Sequence, residues 1–114
     1  MDFRSDIEFF NNIDVAITIC DKDFTIIYMN EKATKTFEQY GFLIGKNLLD
    51  CHNSNSREIL QKMMKNGEKN TYTILKNGIK KLIHQTPWYK DGKIAGLVEF
   101  SIEIPQDMKH FNRN

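Results

Sequence analysis

Cys51 and His52 stand side by side, and that pair is the most pointed chemistry in the chain. A neighbouring imidazolium lowers a thiol pKa and raises its thiolate fraction, which suits a redox sensor; either side chain can also ligate haem or a metal ion. The same two residues read as a loop histidine and a small buried hydrophobe, since free cysteine packs well in apolar interiors. Adjacent residues rarely converge on one tetrahedral ion. His84 is the second candidate. Leu82, His84, Thr86 and Trp88 share one face of a strand-like run, and Ile83, Gln85, Pro87 and Tyr89 share the other. The sequence leaves open which face looks inward. An inward His84 could orient a polar ligand; as a general base it would need a carboxylate in the same pocket, and no inward acid is evident. Tyr28, Met29, Phe37, Phe42, Met63 and Phe100 are candidates for the core, some of them lining an apolar pocket of the kind that holds small molecules. The candidate ligand-binding set is therefore Tyr28, Asn30, Phe37, Cys51, His52, Met63, His84 and Trp88. No Ser/His/Asp spacing, Gly-rich phosphate loop or carboxylate pair supports an enzyme, so no catalytic residue is assigned. Covalent c-type haem is excluded because no Cys-x-x-Cys-His occurs.

The elements that must position these residues follow from composition and period. A chain of 114 residues, 40% apolar and 27% charged, is one ordinary globular domain. Two cysteines are too few for a zinc ribbon or a disulfide framework, no signal peptide is evident, and no apolar stretch approaches bilayer length; the expectation is a cytoplasmic protein without membrane contact. A net charge of +1 leaves no dominant electrostatic partner. Residues 60 to 93 do carry eight lysines against two acids. Without a helix-turn-helix or a basic strand interleaved with aromatics, Lys76, Lys80 and Lys81 read as a solvated face and no nucleic-acid partner is expected.

Phe3, Ile7 and Phe10 fall on one stripe, predicting a short amphipathic helix over Phe3 to Asn12 with Asp2 as its cap. Asp14 to Cys20 alternates between a bulky face (Val15, Ile17, Ile19) and a small one (Ala16, Thr18, Cys20), and Phe24 to Met29 returns as its hairpin partner. Asn30 is suited to cap a helix over Glu31 to Glu38. The clearest helix is Ser56 to Asn66, with Asn55 and Glu58 at capping-box spacing, a buried stripe of Ile59, Leu60, Met63 and Met64, and Gly67 as its left-handed stop. Asn70 to Leu75, Ile79 to Tyr89 and Ile94 to Ile104 are strands joined through Asn77-Gly78 and Asp91-Gly92, the dipeptides suited to type I′ turns. The fold class is α+β, a five-stranded antiparallel sheet with helices over one face.

These pieces in this order resemble a PAS domain. The residues that carry the resemblance are Ile17-Thr-Ile-Cys-Asp21, Ile26-Ile-Tyr-Met-Asn30, Ala33, Leu43-Ile-Gly45-Lys-Asn-Leu-Leu49, Lys65-Asn-Gly67-Glu and Asp91-Gly92-Lys-Ile-Ala-Gly96, spread over residues 13 to 104. The segment Gly45 to His52 is similar to an Asp-Cys-His variant met in bacterial sensor proteins. The resemblance implies a sensory or regulatory module over residues 13–104; the stripe over 1–12 reads as a flanking helix, and Pro105, which stops the last strand, opens a tail over 105–114 without an apolar period. It implies a ligand or cofactor between helices and sheet, a signalling output domain or protein as partner, and a homodimer formed through Phe3, Ile7, Phe10 and the free sheet face. The alternatives are a haem- or redox-sensing module built on Cys51 and His52, and a ligand-free dimerisation domain. Against the haem-binding members, Ser56 stands where their proximal histidine would be, leaving His52, one turn earlier, as the substitute. Against the flavin-binding LOV members, Leu48 stands where the reactive cysteine would be. Against the photoactive yellow proteins, Met29 and Ala33 stand where the phenolate partners would be. The cofactor is accordingly left open, with haem ahead of flavin.

Overall fold

The computed structural model describes residues 7–114, with Cys51 defined in its backbone alone. Phe3 and the first part of the expected flanking helix lie outside that range. Within it the N-terminal segment forms a single 3-10 turn, Glu8–Phe10. Ile7 and Phe10 are half-buried and Phe9, which the amphipathic reading left off the stripe, is exposed and stacked on Phe10 at 4.2 Å.

Five strands follow the expected order: β1 (Ala16–Asp21), β2 (Ile26–Met29), β3 (Asn70–Lys76), β4 (Ile79–Lys90) and β5 (Lys93–Glu103). All pairs are antiparallel, and the sheet runs β2-β1-β5-β4-β3. The last strand of the chain therefore inserts next to the first, which makes β5 the central strand, between β1 and β4. Asn77 (φ 52°) and Asp91 (φ 53°) are left-handed, as are the glycines that follow them. Both hairpins therefore turn where the dipeptides indicated. Pro87 sits in β4 without cost to the sheet, because β3 ends its pairing at Gln85 and β4 is an edge beyond it.

Between β2 and β3 lie two helices, α1 (Glu31–Thr36) and α2 (Ser54–Asn66), with 3-10 turns at Glu38–Tyr40 and Leu48–Cys51. Helix α2 starts two residues earlier than the spacing suggested. Its cap is Asn53, whose Oδ1 accepts from the Ser56 amide at 2.9 Å, rather than Asn55. Gly67 ends it in the left-handed conformation. Helix α2 buries Leu60 and Met63 against Cys20 and Leu97 of the sheet, and α1 buries Ala33 against Ala16, Ile26 and Met29. The small face of β1 thus lies under the helices and the bulky face points the other way. Two expected core residues are out in solvent: Ile59, 45% exposed, and Phe42, 76% exposed.

Asn30 ties this arrangement together. It is fully buried, and its side chain uses all four of its hydrogen-bonding positions on backbone. Oδ1 accepts from the amides of Ile17 (2.9 Å) and Ala33 (3.1 Å); Nδ2 donates to the carbonyls of Phe10 (3.0 Å) and Val15 (2.6 Å). One side chain caps α1, fixes the start of β1 and holds the N-terminal segment.

Candidate functional site

Residues opposite one another on neighbouring antiparallel strands share a face, and residues along a strand alternate. The register therefore sorts the sheet into two surfaces. Met29, Thr18, Glu99, Gln85 and Asn70 form one row across all five strands. This row lies two residues along from Cys20 and Leu97, which touch α2, so it belongs to the helix side. Ile17, Phe100, His84 and Thr71 form the adjacent row on the opposite surface.

On the helix side the sheet and the segment 37–52 enclose a cleft of about 660 Å³. Its size falls in the range of small-molecule sites, about 300–1,000 Å³. From β1 the cleft is lined by Thr18, a small side chain between Ala16 and Cys20, which pack under the helices. Met29, Phe37, Leu43, Leu48 and Ile83 make apolar walls, and Glu99 and Thr18 lie on the floor. The mouth carries Tyr40, Asp50, His52 and Tyr72. A smaller recess continues from His52 under Ile59 and Ser56 towards Asn70 and Gln85.

The polar floor is directional. Asn70 Nδ2 donates to Gln85 Oε1 at 3.0 Å, and Gln85 Nε2 donates to Glu99 Oε1 at 2.8 Å. Gln85 is buried, so its amide orientation is fixed by both partners. The ladder delivers donors towards Glu99 and ends on a carboxylate. No lysine or arginine makes an ion pair with Glu99 among the described residues. Tyr72, partly buried beside the recess, has its phenol pKa raised by burial and further by the Glu99 carboxylate. His52 Nδ1 donates to the Leu48 carbonyl at 2.8 Å, which leaves Nε2 as the ring's other nitrogen.

Of the residues the sequence singled out, the cleft brings together Phe37 and His52. Met63 lies deeper, buried between α2 and the sheet. Asn30 is spent on backbone and has no lone pair or proton left for a ligand. His84 and Trp88 both lie on the surface away from the cleft. His84 Nδ1 is 2.8 Å from Thr71 Oγ1, and Trp88 Nε1 donates to the Cys20 carbonyl at 3.0 Å. Tyr28 is on that surface too, opposite Ile19, with its hydroxyl 3.4 Å from Asn11 Oδ1. A general base at His84 therefore has no access to the acid in the cleft. The Cys51 side chain lies outside the described residues. The inward acid that residue types alone did not reveal is Glu99. Its signal was the register of β5 against β1, since the alternation of Leu97, Glu99 and Ser101 places it on the small face of β1.

Cys20 is buried and its thiol pKa is pushed up to about 11 by desolvation. It is a packing cysteine, protonated at neutral pH. Its folded pKa lies above the unfolded value of 9.0, so the folded state holds the proton longer. Stability is full below pH 9 and falls as pH rises towards 11, by up to about 2 kcal/mol from this group. Urea melts from pH 8 to 11 should show that decline and Cys20→Ala should flatten it; a wild-type curve without slope would contradict the burial argument.

The donor set does not suit haem. Its two propionates would enter a cleft that already holds Glu99 and Asp50 and that no described lysine or arginine lines. Arg57, near the mouth, is exposed and donates to the His52 carbonyl. No group of three or more metal-ligating side chains occurs among the described residues. Nor is any described helix long and apolar enough to cross a membrane.

Comparison with known proteins agrees with this architecture. No curated protein matches the sequence. Among solved structures, a C-terminal domain from Streptococcus mutans superposes with a TM-score of 0.70 at 18% identity, covering 90% of this chain and 85% of that one. VqmA bound to DPO superposes at 0.67 and 15% identity over 88% of this chain, which spans 57% of the VqmA chain. The PAS domain of the histidine kinase ThkA superposes at 0.63 and 20% identity, covering 79% of this chain and 99% of that one. The PAS domain family matches residues 8–105, nearly the whole length. With the sheet order, the intervening helices and that match in agreement, the chain belongs to the PAS domain family.

Proposed function

We propose that this PAS domain is a sensory module of signal transduction that takes a small molecule into the cleft between sheet and helices. One observation carries the reading: a cleft of about 660 Å³ whose apolar walls stand over a hydrogen-bonded polar floor. A purely structural core would fill that space, because native interiors pack close to the density of organic crystals. Similarity to VqmA bound to DPO and to a histidine kinase PAS domain supports a binding role coupled to an output partner. The reading is of a binding module and not of an enzyme. Native mass spectrometry and an absorption spectrum of freshly purified protein test it. The expected result is an adduct of small-molecule mass without a Soret or flavin band. Protein of bare chain mass that also fails to take up any member of a small-molecule library would overturn it.

The module also pairs with a second copy through the surface away from the cleft. Ile19, Leu82, Val98 and Phe100 are only half-buried there, and Ile102 is more exposed still. A two-fold interface would present that patch from both chains. Light scattering should give a dimer that Ile102→Glu converts to a folded monomer. A monomeric wild-type protein at high micromolar concentration would sink this part.

A further inference from the structure

We infer that the ligand is an organic cation, an amine or ammonium group carried on an apolar body. The inference rests on the cleft being a ligand site and adds its chemical class. The cleft holds two carboxylates, Glu99 on the floor and Asp50 at the rim, and no lysine or arginine lines it among the described residues. Glu99 receives one hydrogen bond, from Gln85, which leaves further acceptor positions on its two oxygens. The Asn70–Gln85–Glu99 ladder cannot reverse, because Glu99 is acceptor-only as a carboxylate, so Gln85 must turn Nε2 to it and Oε1 to Asn70. A ligand group meeting Glu99 must therefore donate, and a charged donor makes the stronger bond. Thr18 is buried beside Glu99 in the same row and adds a hydroxyl that turns to suit a donor.

The walls favour the same class. Phe37, Tyr40 and Tyr72 line the cleft, and aromatic faces attract cations when water is displaced. An anionic ligand would face two like charges with no lysine or arginine lining the cleft among the described residues, His52 at the mouth being the one basic side chain there. A neutral apolar ligand would cover Glu99 without pairing it, at the cost of desolvating a carboxylate.

Three probes of matched shape separate these cases: tryptamine, its neutral alcohol tryptophol, and the anion indole-3-propionate, each titrated into the full chain by calorimetry. Tryptamine should bind at least about tenfold tighter than tryptophol, and indole-3-propionate should bind weakest. Glu99→Gln keeps an acceptor for Gln85 but removes the charge; it should weaken tryptamine by about tenfold or more and leave tryptophol nearly unchanged. Tyr72 is 41% exposed, a position tolerant of change. Tyr72→Leu should weaken tryptamine several-fold through loss of the aromatic face. If tryptophol and tryptamine bind equally and Glu99→Gln alters neither, the cation is wrong while the cleft stands as a ligand site. Tightest binding by indole-3-propionate overturns the inference in the same way. If none of the three binds, the inference fails; a bound mass retained in native spectra would then show that the cleft reading survives it, and a bare chain that refuses the library would show that both fail.

Discussion

Asn30→Ala should lower stability by about 3–5 kcal/mol, a large part of the roughly 5–15 kcal/mol that holds a typical domain. The lost cap accounts for only about 1 kcal/mol. The rest comes from the Ile17 amide and the Phe10 and Val15 carbonyls. Left buried without partners, such groups cost about 1–3 kcal/mol each, less what water entry recovers. Asn30→Asp sharpens the case. Aspartate caps a helix as well as asparagine does, so a pure capping role predicts near wild-type stability. In this site its second oxygen would face two carbonyl oxygens from a fully buried position, and the variant should be at least as unstable as the alanine one. In urea the midpoint should fall by about 2 M for either variant. An Asn30→Asp protein with an unchanged midpoint would refute the four-way clamp.

Gly96→Ala should be nearly as costly, for the opposite reason. Gly96 lies in β5 between Asp21 of β1 and Trp88 of β4. A methyl group there would stand 1.9 Å from the Cys20 carbonyl oxygen and 2.5 Å from Trp88 Nε1. The nearer atom is backbone of β1, which is paired on both edges and cannot swing aside. Overpacking of this kind costs about 1–3 kcal/mol and occasionally more. With loss of the Trp88 to Cys20 hydrogen bond the expected total is about 3 kcal/mol, a fall of roughly 12 °C in Tm. Trp88 is the sole tryptophan, so its emission reports the same event. A Gly96→Ala protein with wild-type Tm and emission would show that the strands tolerate a side chain there.

Local signals made much of this fold legible. Asn77-Gly78 and Asp91-Gly92 declared both hairpins because a type I′ turn needs left-handed residues at both positions. Gly67 declared the end of α2 for a similar reason. Asn30 was legible as a cap, since its amide partner is three residues on; its role as a clamp was hidden because the other partners lie 13 to 20 residues away. The start of α2 slipped because Asn53 and Asn55 are both competent caps and only the structure chooses.

The site was less legible than the fold. His84 and Trp88 drew attention by residue type, yet alternation alone gives two faces without saying which is inside. The choice is made by long-range register: β5 pairs with β1, whose small face lies under α2, and that pairing carries Glu99 into the cleft, Gln85 to the recess beside it and His84 to the other surface. Phe37 and His52 were reachable because they flank the helical block itself. Tyr72 was legible as a strand residue, but nothing in its neighbourhood tied it to an acid two strands away.

Methyl NMR of labelled protein titrated with tryptamine and tryptophol tests the central claim, that the cleft between sheet and helices is the ligand site. Ile83 and Leu82 are neighbours in sequence on opposite faces, so their methyls separate the two surfaces cleanly. The methyls of Ile83, Leu43, Leu48 and Met29 should shift with either probe, and those of Leu82, Ile19 and Ile102 should stay still. Shifts confined to Leu82, Ile19 and Ile102, or none at saturating probe, would contradict the account.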